Sequence, residues 1–204
     1  MDEALEVRRF WFGRLPLRPD GVQERIALWY GSGPEEQQTD ELVRSRFGAL
    51  VERAAAGELA AWADSPRRRL SLILLLDQFP RNIYRGTGRA FATDREALGL
   101  TLSGMQSAAD AALTPVERIF FYMPLQHAEV RDAQEEAVAA YRRLLNEAPA
   151  ELKAMFASSL EYAQLHRSIV ARFGRFPHRN RALGRPNTPE EEAYLAEGGQ
   201  HFGQ

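Results

Sequence analysis

The side chains best suited to chemistry gather in two arginine-rich stretches and around four histidines. Between Gln78 and Ala92 the chain places Arg81, Arg85 and Arg89 with no acid; between Arg172 and Arg185 it places Arg172, Arg175, Arg179, Arg181 and Arg185, again with no acid. Set in a protein of 26 basic and 28 acidic residues, these are basic islands on an acidic body. Such segregation points to an anion site or to structural ion pairs. Guanidinium forks grip carboxylates and phosphates through paired hydrogen bonds, and Asn82 and Asn180 add directional donors and acceptors. Asp77 stands just before the first island, at the end of an apolar helix. A carboxylate there needs arginines or backbone amides, because burial and the negative helix end both oppose its charge. Arg81 and Arg85 are its nearest candidates along the chain.

The islands echo one another. Gln78-Phe79-Pro80-Arg81-Asn82-Ile83-Tyr84-Arg85-Gly86 and Arg175-Phe176-Pro177-His178-Arg179-Asn180-Arg181-Ala182-Leu183-Gly184-Arg185 share Phe-Pro, then Arg-Asn, then an arginine beside a glycine. Facing one another they would form an anion pocket; apart, their guanidinium groups would satisfy helix-end carbonyls and buried acids. His127, Glu129, His166 and His178 supply the residue types for acid–base work or for a two-histidine, one-carboxylate metal site. No His-x-x-x-His pair places two ligands on one helix, so no metal is expected. Gly86-Thr87-Gly88 lacks the Lys-Ser/Thr of a phosphate loop, and Ser71, Ser158 and Ser159 lie outside any Gly-x-Ser-x-Gly elbow.

These groups must be positioned by helices, because apolar residues recur at three and four throughout and no run alternates as a strand would. Ser65-Pro66, Thr114-Pro115 and Thr188-Pro189 mark helix starts, with Glu117 and Glu191 completing capping boxes and Thr93 with Glu96 repeating the pattern. They predict helices over 66–79, 94–106, 115–123 and 189–197. Helices are also expected from Leu5 to Gly13, from Asp20 to Gly31, and from Thr39 or Asp40 to Gly57, with Gly31 to Gln38 as a surface loop. Two long helices follow. Val130, Ala133, Ala137, Tyr141 and Leu144 line one face of 129–146, and a stripe on 151–173 puts His166 on the buried side. The fold expected is an all-α single domain of about eight helices over 1–204.

Composition sets the outer limits. With 45% hydrophobic residues and no cysteine, the chain has material for a core and none for disulfides or thiolate chemistry. The longest apolar stretch, Leu70 to Leu76, ends at Asp77, far short of the ~20 residues a membrane span needs. Met1 to Glu6 has neither a basic region nor an apolar one, so a cytoplasmic location is expected.

Several longer motifs resemble the bacterial domain-of-unknown-function 924 family. They are Leu75-Leu76-Asp77-Gln78-Phe79-Pro80-Arg81-Asn82-Ile83-Tyr84-Arg85-Gly86, Arg89-Ala90-Phe91-Ala92-Thr93-Asp94, Phe121-Tyr122-Met123-Pro124-Leu125-Gln126-His127-Ala128-Glu129 and Arg172-Phe173-Gly174-Arg175-Phe176-Pro177-His178-Arg179-Asn180. Leu183-Gly184-Arg185, Thr188-Pro189-Glu190-Glu191 and Phe10-Trp11-Phe12-Gly13 match as well. The chain departs at Gln126 and Ala128, where the pattern has a glutamate and a serine. The resemblance implies an all-helical array similar in shape to tetratricopeptide folds, and it implies no established activity.

Two functions are expected to compete. One is a pocket for a small anionic molecule, enzymatic or not, built from Asp77, Arg81, Asn82, Arg85, His127, Glu129, His166, Arg175, His178, Arg179, Asn180 and Arg185. The other is a helical module that receives a peptide or protein partner. Nucleic acid is disfavoured, because the body outside the two islands is acidic.

Overall fold

The computed structural model describes residues 2–14 and 19–202, apart from the side chains of Pro19 and Asp20. Met1 therefore lies outside the described residues, as does the Asp20 side chain at the expected start of the second helix. Among the described residues every regular element is helical: α1 (Glu3–Phe12), α2 (Pro19–Gln23), α3 (Ile26–Tyr30), α4 (Pro34–Ala55), α5 (Pro66–Ile73), α6 (Phe79–Ile83), α7 (Asp94–Gln106), α8 (Pro115–His127), α9 (Arg131–Glu147), α10 (Lys153–Phe173) and α11 (Pro189–Ala196), with short 3₁₀ turns between them. The all-α expectation holds. None of these helices is long and apolar enough to cross a membrane.

The core forms around α5 and its continuation. Leu70, Leu72, Ile73, Leu74, Leu75 and Leu76 are all buried, and α1, α4, α7 and α8 pack against this segment. An aromatic cluster fills the space beneath α1: Trp11 lies 5.4 Å from Phe79 and 5.6 Å from Phe120, and Trp29 lies 4.8 Å from Phe120, all tilted or edge-on. Such contacts stabilise by about 0.5–1.5 kcal/mol each beyond their buried area. Close approach is also needed where α7 crosses α8. A Cβ on Gly104 would lie 2.6 Å from Phe121 Cζ and 2.9 Å from Arg69 Cδ. Gly104→Ala is expected to destabilise the protein by about 1–3 kcal/mol, the usual range for overpacking, despite alanine's better helix propensity. A urea midpoint at or above that of the parent would refute this.

Several local expectations are corrected. Gly31 to Gln38 is not a loop throughout, because α4 begins at Pro34: proline serves at the first helical position and Glu35 and Glu36 suit the positive helix end. The helix expected to stop before Pro80 passes through it. A π-turn over Leu74–Gln78 joins α5 to α6, and the Leu76 carbonyl, which a regular ladder would direct to residue 80, accepts from the Thr93 hydroxyl at 2.6 Å. Thr93 consequently does not cap α7 with its side chain, nor does Ser65 cap α5. Finally, α8 continues through Pro124 to His127, which ends the helix rather than lying in a break. Tyr141 donates to the Ile119 carbonyl and Thr101 to that of Phe121, both at 2.9 Å, while Gln134 Nε2 reaches the carbonyls of Gln126 and Ala128, each at 2.7 Å. The expected capping boxes at Thr114/Glu117 and Thr188/Glu191 are both formed. Val130, expected on a buried face, is instead the exposed residue before α9.

Candidate functional site

The π-turn that carries the chain past Pro80 also aims Asp77 inward. Its side chain is wholly buried, and its Oδ1 lies 2.8 Å from His127 Nδ1, on the last turn of α8. Gln78 Nε2 donates to Oδ2, while Arg81 Nη1 donates to the Asp77 carbonyl at 2.6 Å and sits 3.3 Å from Oδ1. Burial pushes the carboxyl pKa up. Arg81, His127 and Gln78 outweigh it and hold Asp77 well below the usual carboxylate range.

An ionised carboxylate against Nδ1 makes that nitrogen the donor. His127 Nε2 then carries the lone pair. Burial first, then Arg81, lowers the pKa of His127, and Asp77 only partly offsets them, so the ring is neutral near pH 7. His166 on α10 repeats the tautomer by a different route: its Nδ1 is 2.8 Å from the Tyr162 carbonyl, which can only accept. Its pKa is pushed down to about 3, mainly by burial and then by His127. The two imidazole rings are 6.1 Å apart, and Phe202 stacks on His166 at 3.8 Å.

Both histidines open onto a cleft of about 740 Å³. Its walls come from α3, the start of α4, the π-turn and α6, α8, α9, α10 and the segment carrying Gln200 and Phe202. One part is apolar, with Trp11, Leu28, Trp29, Met123 and Met155; another is polar, with Gln78, Arg81, Asn82, Arg85, Gln126, His127 and His166. Of the twelve residues expected from sequence, Arg81, Asn82, Arg85, His127 and His166 line this cleft and Asp77 backs it.

The other six do not line it: five are bound to acids or to one another, and His178 keeps its Nδ1 buried without a partner. Glu129 accepts from Arg185 at 2.6 and 2.9 Å and from the Phe176 amide at 2.8 Å. Arg175 forks onto the capping glutamate Glu191 at 2.6 and 2.7 Å, which lowers that carboxyl to about 2. Asn180 bridges Asn187 and Glu191 and accepts from Arg185. His178 packs its ring against Phe176 and Phe202, and burial lowers its pKa to about 3.

The two Phe-Pro segments do meet, through an acid outside both islands. Asp94 receives Arg81 at 2.8 and 2.9 Å from one and Arg179 at 3.2 Å from the other. Arg179 lies 4.5 Å above the rings of Phe91 and Phe176, and burial lowers its pKa to about 10. Arg85 is held by Asp40 at 2.7 Å and Glu36 at 3.1 Å, and Asn82 donates to the same Asp40. Asp94, Asp40 and Gln126 escaped the sequence reading. Asp94 begins α7 and Asp40 stands at the helix start expected from sequence, six residues into α4 as it forms, while Gln126 is marked in the sequence only by its departure from the family pattern. Among the described residues no group of three or more histidine and acidic side chains is placed to hold a metal ion.

Comparison with known proteins gives the family. A family model described as "Bacterial protein of unknown function (DUF924)" matches residues 7–199. Among solved structures, the chain is similar to that of the "Protein of Unknown Function ATU0120" from Agrobacterium tumefaciens. Identity is 36%, the TM-score is 0.78, and the match covers 96% of this chain and 98% of that one. No curated protein matches. With a family model matching nearly the whole length and a solved relative of the same fold, this chain belongs to the DUF924 family of bacterial proteins of unknown function.

Proposed function

We propose that the cleft binds a small organic molecule whose apolar body lies along Trp29, Met123 and Met155 and whose polar end reaches His127, which takes a proton from it. The observation that carries this reading is the Asp77–His127 pair. Asp77 occupies Nδ1 at 2.8 Å and leaves the Nε2 lone pair on a residue that lines the cleft. In the transfer, the ligand's O–H or N–H proton moves to Nε2, the electron pair stays on the ligand, and Asp77 stabilises the imidazolium. An anionic substituent would meet Arg81 and Arg85, but it would compete with Asp94 for the first and with Asp40 and Glu36 for the second. Hydrogen bonding therefore decides recognition more than net charge does.

A thermal-shift panel of phenols, sugar phosphates and dicarboxylates tests this. At least one compound is expected to raise Tm, and His127→Phe is expected to weaken its binding at least about tenfold, the loss of roughly 1.4 kcal/mol. Because burial and Arg81 lower the pKa of His127, binding is expected to hold from pH 8 to below pH 6.5 and to fail only where Nε2 becomes protonated. A panel without response, or binding indifferent to His127→Phe, overturns the reading.

A further inference from the structure

Resting on that reading, we propose that the ligand is an uncharged diol, with hydroxyl groups on adjacent carbons of an aromatic or sugar-like ring, which donates one hydroxyl to His127 and the other to His166. Three side chains carry the inference. His127 and His166 both line the cleft, both have Nδ1 committed, to Asp77 and to the Tyr162 carbonyl, and neither Nε2 has a partner among the described residues. Two acceptors need two hydrogens. A single hydroxyl has one proton and can satisfy only one imidazole, whereas a diol supplies both from one small group.

Gln126 is the third. It is 7% exposed, lines the cleft, and its side-chain amide has no hydrogen-bond partner among the described residues. Neither of its amide atoms is sealed off inside the protein, so both open to the cleft and offer a ligand one donor group and one acceptor. Each hydroxyl that donates to a histidine keeps oxygen lone pairs, and Gln126 Nε2 donates to one of them.

The surrounding charges favour a neutral ligand over the alternatives. A carboxylate or phosphate would set its own lone pairs against those of the two imidazoles. A metal ion or an ammonium would enter a region where the positive charges of Arg81 and Arg179 already oppose protonation of His127 and His166. The ring walls fit as well: Tyr30 and Tyr162 both line the cleft with about half of each side chain exposed, which gives a planar ligand faces to stack on.

The test uses the full chain with ¹⁵N-labelled histidines and catechol, phenol, phenyl phosphate and zinc chloride as probes. Catechol is expected to shift the Nε2 resonances of His127 and His166 together and to bind at least about tenfold more tightly than phenol. His166→Leu is expected to abolish the advantage of catechol over phenol. Since that substitution disturbs packing beneath Phe202, Gln126→Leu serves as the second variant; its side chain has no partner to lose, and catechol binding is expected to weaken several-fold. Equal binding of catechol and phenol, a response confined to His127, or stronger binding of phenyl phosphate or zinc overturns the diol while leaving proton transfer to His127 standing. Silence of both imidazoles toward every organic probe overturns both.

Discussion

Asp77→Ala is expected to destabilise the protein by about 2–4 kcal/mol, because it leaves two donors inside the protein without the acceptor they share. Arg81 would retain Asp94, but His127 Nδ1 and Gln78 Nε2 would lose their acceptor. The pH dependence follows from the sign of the shift. The folded pKa of Asp77 lies below the unfolded value of about 3.9, so its contribution is fully present above that pH and is lost as pH falls through the folded value. The difference between parent and variant should therefore not shrink between pH 8 and pH 5 in urea titrations, and should fall only in strong acid; any uptake of a proton by His127 beside Asp77 widens it. A loss under 1 kcal/mol at neutral pH, on the scale of an exposed pair, would refute the buried network. Asp77→Asn separates tautomer from stability. Its amide can donate to Nδ1, which would move the proton to Nε2 and turn the proposed acceptor into a donor; ¹⁵N chemical shifts of His127 report the exchange directly.

Marked loss of stability between pH 6.5 and about 4 is the second large effect. His166 and His178 have folded pKa values pushed down to about 3 by burial, against about 6.5 in the unfolded chain. The unfolded state takes up protons first. Each histidine's contribution is complete above pH 6.5 and declines as pH falls toward 3, with a slope of up to about 1.4 kcal/mol per pH unit. His127, Arg179 and His178 face His166, while Arg179, His201 and Arg81 face His178 with Glu129 opposing them, so positive neighbours outweigh the acid and reinforce burial in both cases. His166→Phe is expected to remove about half of this slope, since phenylalanine keeps a ring between Phe176 and Phe202 and has nothing to protonate. Equal unfolding free energies at pH 7 and pH 5 would count against both assignments. The acids stay out of this window, because Glu129, like Asp77, is held below its ordinary value by its arginine and amide contacts despite burial.

Features that depend on near neighbours along the chain were legible in the sequence. The capping boxes at Thr114 and Thr188 close over three residues, and the apolar circumference of 70–76 marks the central helix. The spacing on α10 correctly buries His166. Its capacity to accept a hydrogen bond was not legible, because that depends on which nitrogen the Tyr162 carbonyl claims. The prolines misled for a related reason. Pro80 and Pro124 read as helix ends, yet the carbonyls around them find Thr93, Thr101 and Tyr141, which the chain reaches only by folding.

The arginine islands show where reading along the chain stops. Their types, their echo and the family they resemble follow from sequence alone, as do the all-helical class and the burial of its apolar faces, since all of these rest on residue type and short-range spacing. Tertiary structure decided what the guanidinium groups face. Arg81 and Arg179 converge on Asp94, 13 and 85 residues away, and Arg185 on Glu129, 56 residues away. Charges that look free for a ligand are spent on distant carboxylates, because a buried guanidinium must be paired wherever the fold supplies an acid. Along the cleft, His127, His166 and Gln126 keep side-chain hydrogen-bonding capacity that no protein group claims.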